Sequence, residues 1–195
     1  MTRRLDDVRG AMAAVPRPGF LPEDVRALAH EDAPLPIGHG ATNSQPSTVA
    51  AMLRLLDVPR GASVLDVGSG SGWTTAILAE LVGPGGDVLG VELEPELVRR
   101  AGPAVRTHLA GSRTAGRARL RVADPDGLGA VDEAPFDRIL VSAMAREVPA
   151  ELLDQLAPGG VMVIPVDGIM RRVELGDDGE VRETRHGGYR FVPLR

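Results

Sequence analysis

The chain of 195 residues contains no cysteine and no lysine. Without thiols it has no disulfide scaffold, no thiolate metal site and no cysteine nucleophile. All 22 basic residues are arginine, which removes Schiff-base and lysine-base chemistry and the phosphate-binding lysine of a P-loop. Long apolar runs are missing too: none approaches the roughly 18 residues of a membrane-spanning helix. The first residues, Met1 to Asp7, are charged rather than apolar. Neither a signal peptide nor a membrane span is therefore expected, and a cytoplasmic enzyme is the default. An excess of positive charge is absent as well, since 27 acidic residues leave a net charge of −5. Nucleic-acid and polybasic membrane functions need a clustered positive field, so neither is expected.

What is present is ordinary for a globular protein: 43% hydrophobic and 25% charged residues. That length predicts one domain over 1–195, with N-terminal helices and a long loop in 1–60 and an α/β core in 61–195. Leu5, Val8, Met12 and Val15 share a helical face, which predicts a helix from Met1 to Val15 ending at Pro16. A second short helix is expected from Glu23 to His30. Asp32 to Pro46 holds three prolines, two glycines and Asn43, and is expected to be loop. After Pro46 the spacing of Val49, Met52, Leu53 and Leu56 is again helical, with Pro46 suited to the first turn.

From Ala62 the period changes. Strands are predicted at Ser63–Val67, Asp87–Val91, Ala118–Val122, Asp137–Val141 and Gly160–Val166. Helices are predicted between them at Trp73–Val82, Pro95–Leu109 and Pro149–Leu156. Arg171–Leu175, the turn Asp177-Asp178-Gly179 and Val181–Arg185 read as a hairpin, with Tyr189–Leu194 pairing beside it. This alternation implies an α/β fold: a three-layer, doubly wound, mainly parallel sheet with an antiparallel C-terminal hairpin.

Asp66-Val67-Gly68-Ser69-Gly70-Ser71-Gly72 falls where a strand gives way to a helix, the edge at which doubly wound sheets bind nucleotides. A dinucleotide fingerprint would place its third glycine at 73, which is Trp. Asp66 is a poor neighbour for a pyrophosphate but suits the ammonium or sulfonium of S-adenosylmethionine. Glu92, ending the second strand, is placed to accept from both ribose hydroxyls, and Asp124, ending the third, from the adenine amino group. Asp124 also starts the turn Asp124-Pro125-Asp126-Gly127. Gly68, Ser69, Gly70 and Gly72, with Leu93 and Ser142, complete the expected cofactor set.

These residues resemble the protein-L-isoaspartate O-methyltransferases, a family of class I S-adenosylmethionine-dependent enzymes with a Rossmann-like core. The resemblance runs from about Pro16 to Arg195. It is carried by Leu35-Pro36-Ile37-Gly38-His39-Gly40, Ala41-Thr42-Asn43-Ser44-Gln45-Pro46, the glycine motif from Val64 to Gly72, Ala134 to Ile139, Leu156 to Gly160, and Arg190-Phe191-Val192-Pro193-Leu194. The glycine motif alone fits any class I methyltransferase; the loop before it and the C-terminal segment select this family.

By that resemblance, Ser44 is the active-site serine, Thr42 and Asn43 line the cleft, and Ile37 and Gly38 flank the substrate. Ser142 and Ala143 lie near the substrate, and Phe191-Val192-Pro193 borders the isoaspartyl backbone. Asn43 stands where the family commonly has an apolar residue, and Ala123 to Gly127 replaces its G-D-G. Met144 and Arg146 stand where small residues and proline are common, and would narrow or charge the cleft. The implied reaction moves a methyl group from S-adenosylmethionine, leaving S-adenosylhomocysteine, to the free carboxylate of an isoaspartyl residue in a damaged protein or peptide. A succinimide then forms and repair begins. A monomer is expected. Three readings compete: esterification of Asp in a biosynthetic peptide, a non-catalytic cofactor-binding interaction module, and, weakest, a nicotinamide oxidoreductase.

Overall fold

The computed structural model describes residues 2–195, with side chains from Asp7 onward. Helix α1 (Thr2–Ala14) buries Val8 and Ala11 and packs Met12 beside them, and Val15 is buried just past its end. Leu5 lies outside the described side chains. Pro16 follows because the position before a proline is pushed out of helical geometry. The helix expected from Glu23 to His30 is instead a tighter 3-10 segment, Glu23–Leu28. Only Val25 of it is buried, too narrow an apolar face to hold a longer α-helix.

The expected loop from Asp32 to Pro46 contains a small antiparallel hairpin, β1 (Leu35–Gly38) and β2 (Ala41–Asn43). Leu35 and Ile37 point inward while Pro36 and Gly38 face out, a period of two that the prolines mask. The turn runs through positive φ at Gly38 (92°), His39 (53°) and Gly40 (72°). Helix α2 (Pro46–Leu56) begins with Pro46 in its first turn, as expected.

The core alternates β3 (Ser63–Val67), α3 (Trp73–Val82), β4 (Asp87–Glu92), α4 (Pro95–Gly111), β5 (Arg117–Val122), β6 (Phe136–Val141), α5 (Ala150–Leu153), β7 (Leu156–Val166), β8 (Ile169–Leu175) and β9 (Val181–Gly188). Seven strands form one sheet in the order β5-β4-β3-β6-β7-β8-β9. The first five are parallel, and β7, β8 and β9 meander antiparallel. The helix expected at Pro149–Leu156 shrinks to four residues because Leu156 already belongs to β7, paired with Phe136. Tyr189–Leu194 does not pair beside the hairpin. It turns back, bridging Met144 through Pro193.

Side chains alternate across the sheet. Val64, Val88, Leu140 and Val163 face α1, α2, α3 and α4. Leu65, Val67, Leu89, Val91, Ile139, Val141, Met162 and Ile164 face the other way, under α5 and the connections at Leu128–Ala134 and Ala145–Leu153. That thinner layer is tied by buried Gln155, which donates to the Leu128 and Glu151 carbonyls and accepts from the Ala130 amide. Chain direction across the sheet reverses at β3, whose neighbours are β4 and β6. A crevice therefore opens above their carboxyl ends.

Candidate active site

One wall of that crevice is the turn between β3 and α3. The Gly68 and Ser69 amides both donate to the Val91 carbonyl (2.9 and 3.0 Å), and the Gly72 amide donates to Ser69 O at 2.8 Å. Gly72 has φ 79°, and a Cβ there would lie 2.7 Å from the Val105 side chain, so only glycine lets the turn pack on α4. Glu92 closes the wall. Its Oε2 accepts from the Gly70 amide at 2.9 Å and its Oε1 from the Glu94 amide at 3.1 Å. Each oxygen keeps a lone pair for a ligand.

Asp66 lies beneath this wall rather than in it. Alternation along β3 puts it on the face of Val64, where α3 covers it completely. Thr75 Oγ1 donates to its Oδ2 at 2.6 Å, while Oδ1 has no hydrogen-bond partner. Burial pushes the carboxyl up to about 7, with the nearby charge of Glu92 adding to the rise.

The facing wall runs from β2 into α2. Ser44 is half-buried between Asn43 and Gln45. The N-cap of α2 is Gln45, whose side chain makes no capping bond. Asp32 caps the helix from a distance: Oδ1 accepts from the Ser47 amide at 2.8 Å and Oδ2 from Gln45 Nε2 at 3.0 Å. Those bonds hold the Asp32 carboxyl below its ordinary range. Ser44 is thus free of capping, and its hydroxyl has no partner among the described residues. At its far end α2 is pinned by Arg138 Nε on Asp57 O and Arg172 Nε on Leu55 O, both at 3.0 Å.

Residues 189–195 form the third side. Val192 O accepts from the Met144 amide at 2.7 Å, Leu194 N donates to Met144 O at 2.8 Å, and Met144 Sδ accepts from the Gly168 amide at 3.2 Å. At the mouth Glu94 stands between His39 Nδ1 (3.7 Å) and Arg195 Nη1 (3.6 Å), linking the hairpin turn to the tail. The enclosed cleft holds about 620 Å³.

Of the residues expected from sequence, Thr42, Ser44, Gly68, Gly70, Glu92, Leu93, Ser142, Ala143 and Val192 all line this cleft. Asp66, Ser69, Gly72, Asp124, Ile37, Gly38 and Asn43 do not. Ile37 is buried with Leu21, Val25, Leu35 and Leu97. Asp124 is exposed, its Oδ1 accepting from the Asp126 amide at 3.0 Å, so the turn is the role its carboxylate plays here. Asn43 points away from the cleft, into bonds with Arg17 and Ser71. Met144 and Arg146 are not in the lining either, so neither narrows it. Glu94 and Arg195 line the cleft without having been singled out, and Tyr189 and Arg190 line it although they were noted only as part of the C-terminal segment. Their neighbours Glu92 and Phe191 were the signal available.

The donor set discriminates among nucleotides. Four amides of the turn, those of Gly68, Ser69, Gly70 and Gly72, are spent inside the protein. They are unavailable to a pyrophosphate, whereas a carboxylate remains for a sugar diol. That combination fits a nucleoside cofactor without phosphates.

Comparison with known proteins agrees. A family model described as protein-L-isoaspartate(D-aspartate) O-methyltransferase matches residues 2–195. The protein-L-isoaspartate O-methyltransferase of Methanopyrus kandleri is 50% identical over 98% of this chain and 84% of its own length. That of Aeropyrum pernix is 49% identical over 94% and 70%. A crystal structure from Plasmodium falciparum described as the same enzyme, in complex with S-adenosyl-L-homocysteine, superposes with a TM-score of 0.79 at 28% identity. It covers 97% of this chain and 90% of that one.

Proposed function

The chain belongs to the protein-L-isoaspartate(D-aspartate) O-methyltransferase family, and from that premise we infer its activity. It transfers a methyl group from S-adenosylmethionine to the free carboxylate of L-isoaspartyl residues in proteins or peptides, which starts their repair through a succinimide. The observation that carries the reading is the shared cleft: Glu92 and the glycine turn on one side, Ser44 with an unengaged hydroxyl on the other.

When bound, S-adenosylmethionine supplies an electrophilic methyl on a permanently charged sulfonium. In our reading Glu92 holds the ribose diol, and Gly68, Gly70, Leu93 and Ser142 shape the bed around it. Asp66 and Ser69 act from below by fixing the turn. The acceptor carboxylate has an intrinsic pKa near 4, so it is ionised at pH 7 and needs no general base. What the protein must supply is alignment, which can contribute roughly 7–11 kcal/mol. The Ser44 hydroxyl donates to one acceptor oxygen and turns the other toward the methyl group. Thr42, Ala143 and the Val192 backbone flank the client chain.

A cytoplasmic location and a monomeric state belong to the same proposal, as does the single domain. Among the described residues no helix is long and apolar enough to cross a membrane. Radiolabelled methyl transfer to paired Asp and isoaspartyl peptides tests the assignment. Base-labile label on the isoaspartyl member alone is the expected result. Label on the Asp member instead, or cofactor binding without turnover on either, overturns it in favour of esterification of Asp in a biosynthetic peptide or of a binding module respectively.

A further inference from the structure

The buried amide of Asn43 connects the hairpin segment that leads into α2 with the glycine turn. Its Oδ1 accepts from Arg17 Nε at 2.6 Å, and its Nδ2 donates to Ser71 Oγ at 2.9 Å. Asn43 is 4% exposed and lies between Thr42 and Ser44, both cleft residues. Ser71 lies between Gly70, whose amide Glu92 holds, and Gly72. A covalent and hydrogen-bonded path therefore runs from Glu92 through Gly70, Ser71 and Asn43 to Ser44.

Arg17 extends the connection. It is 5% exposed and its N–H groups converge on one stretch of chain: Glu31 O (2.9 Å), Ala33 O (2.8 Å), Asn43 O (3.2 Å) and Ser44 O (3.1 Å). Its guanidinium also lies 5.5 Å from the ring centroid of Trp73, the first residue of α3. Among the described residues no carboxylate hydrogen-bonds to it. Carbonyl dipoles and the charge of Asp32 compensate this cation instead, so its position is dictated by the loop it holds. The fixed fork of a guanidinium suits that task; a lysine ammonium does not.

We propose that Asn43, with Arg17 behind it, is a positioning tie that transmits order from the cofactor turn to Ser44, so that the acceptor side is set only when the turn is ordered by its ligand. The proposal rests on the cofactor reading above. Ser71 provides a clean cut. Its side chain does not line the cleft but faces a separate hollow beside Ile37 and Leu97. Ser71→Ala thus breaks the tie without removing a cofactor contact.

Hydrogen exchange at the amides of Asn43, Ser44, Gln45 and Ser47 gives the primary readout, with S-adenosylhomocysteine as probe. In the wild type the probe is expected to slow exchange there by roughly threefold to tenfold, the scale of one hydrogen bond. In Ser71→Ala and Asn43→Ile that slowing disappears while probe affinity stays within about threefold. Steady-state kinetics should show a raised KM for isoaspartyl peptide with the KM for S-adenosylmethionine kept, and the double variant no worse than either single one. Asn43→Asp, whose carboxylate accepts from both Arg17 and the Ser71 hydroxyl, should restore both readouts. Probe-dependent slowing that survives in Ser71→Ala, or additive losses in the double variant, would overturn the tie. The exchange arm needs only cofactor binding. A wild type that binds the probe without methylating peptide would remove the activity reading and leave the tie still decided by exchange.

Discussion

The two long walls of the cleft are built on different principles. The cofactor wall is a short turn whose amides are satisfied within a few residues or by the adjacent strand, with one carboxylate, Glu92, locking it. The acceptor wall is a stretch from Ala29 to Ser47 held by side chains from elsewhere: Arg17 on its carbonyls, Ser71 on Asn43, Arg138 and Arg172 behind α2. The first is built from local contacts, and the second exists only once distant segments have met. Damage to the first should therefore show as lost cofactor, damage to the second as lost order.

The largest effect is expected at Arg17. Arg17→Met removes the donors from several carbonyls at once, and buried unsatisfied groups cost about 1–3 kcal/mol each, so a loss of about 3 kcal/mol in stability is expected. Urea unfolding measures it; a change under about 1 kcal/mol would collapse the distinction between the walls. Glu92→Ala tests the opposite wall. It should weaken S-adenosylmethionine roughly ten- to a hundredfold in a protein that melts like the wild type. Calorimetric titration with unchanged affinity would remove Glu92 from the site.

Ser44→Ala sharpens the comparison, because the serine stands on the fragile wall without supporting it. Turnover should drop about tenfold or more with cofactor affinity and melting kept, the size of one hydrogen bond to a charged group. A destabilised but fully active variant would make the serine a support of that wall rather than the group that orients the acceptor. Asp66→Asn should act through pH. The native carboxyl holds its proton to about pH 7, while the unfolded chain loses it near 3.8. Between those values the unfolded state binds fewer protons, so wild-type stability falls as pH rises and levels off above about 7. The melting advantage of Asp66→Asn over wild type should grow across that window. Parallel melting curves would contradict a buried, protonated carboxyl. The smallest effect is expected at His39. His39→Gln should cost at most a few-fold, with single-turnover rates flat from about pH 6 to 8 in both proteins. A histidine-like limb in the wild-type profile that vanishes in the variant would make His39 a base.

The same division governs what the sequence reveals. β3 and α3 are legible to the residue, because an apolar run, a glycine cluster and a helical period follow one another directly. Glu92 was legible for the same reason. The misplacement of Asp66 in the cleft was avoidable, since alternation with Val64 already turns it toward α3. The hairpin of β1 and β2 was hidden by prolines and glycines that read as loop. The path of Tyr189–Leu194 was set by Met144, some fifty residues away. Nothing local marks Arg17 as a hub, and Asn43 looked like a change to the cleft because its partners, Arg17 and Ser71, are brought together only by folding.

The split sheet also sets two clocks for folding. In the antiparallel meander, pairs such as Val166 with Ile169 and Leu175 with Val181 close over a handful of residues. In the parallel half, Val64 must find Val88 and Arg138, with helices in between. Loop-closure entropy makes such non-local pairing slow, and rates fall steeply as the mean sequence separation of contacts rises. The hairpin end of the sheet should therefore zip early, in microseconds for an isolated hairpin. The crevice above β3, which needs both long crossovers in place, is among the last features to appear. Substitutions in the early β8–β9 hairpin should then act mainly on the folding limb of a chevron, and those that disturb only the late-closing crevice mainly on the unfolding limb.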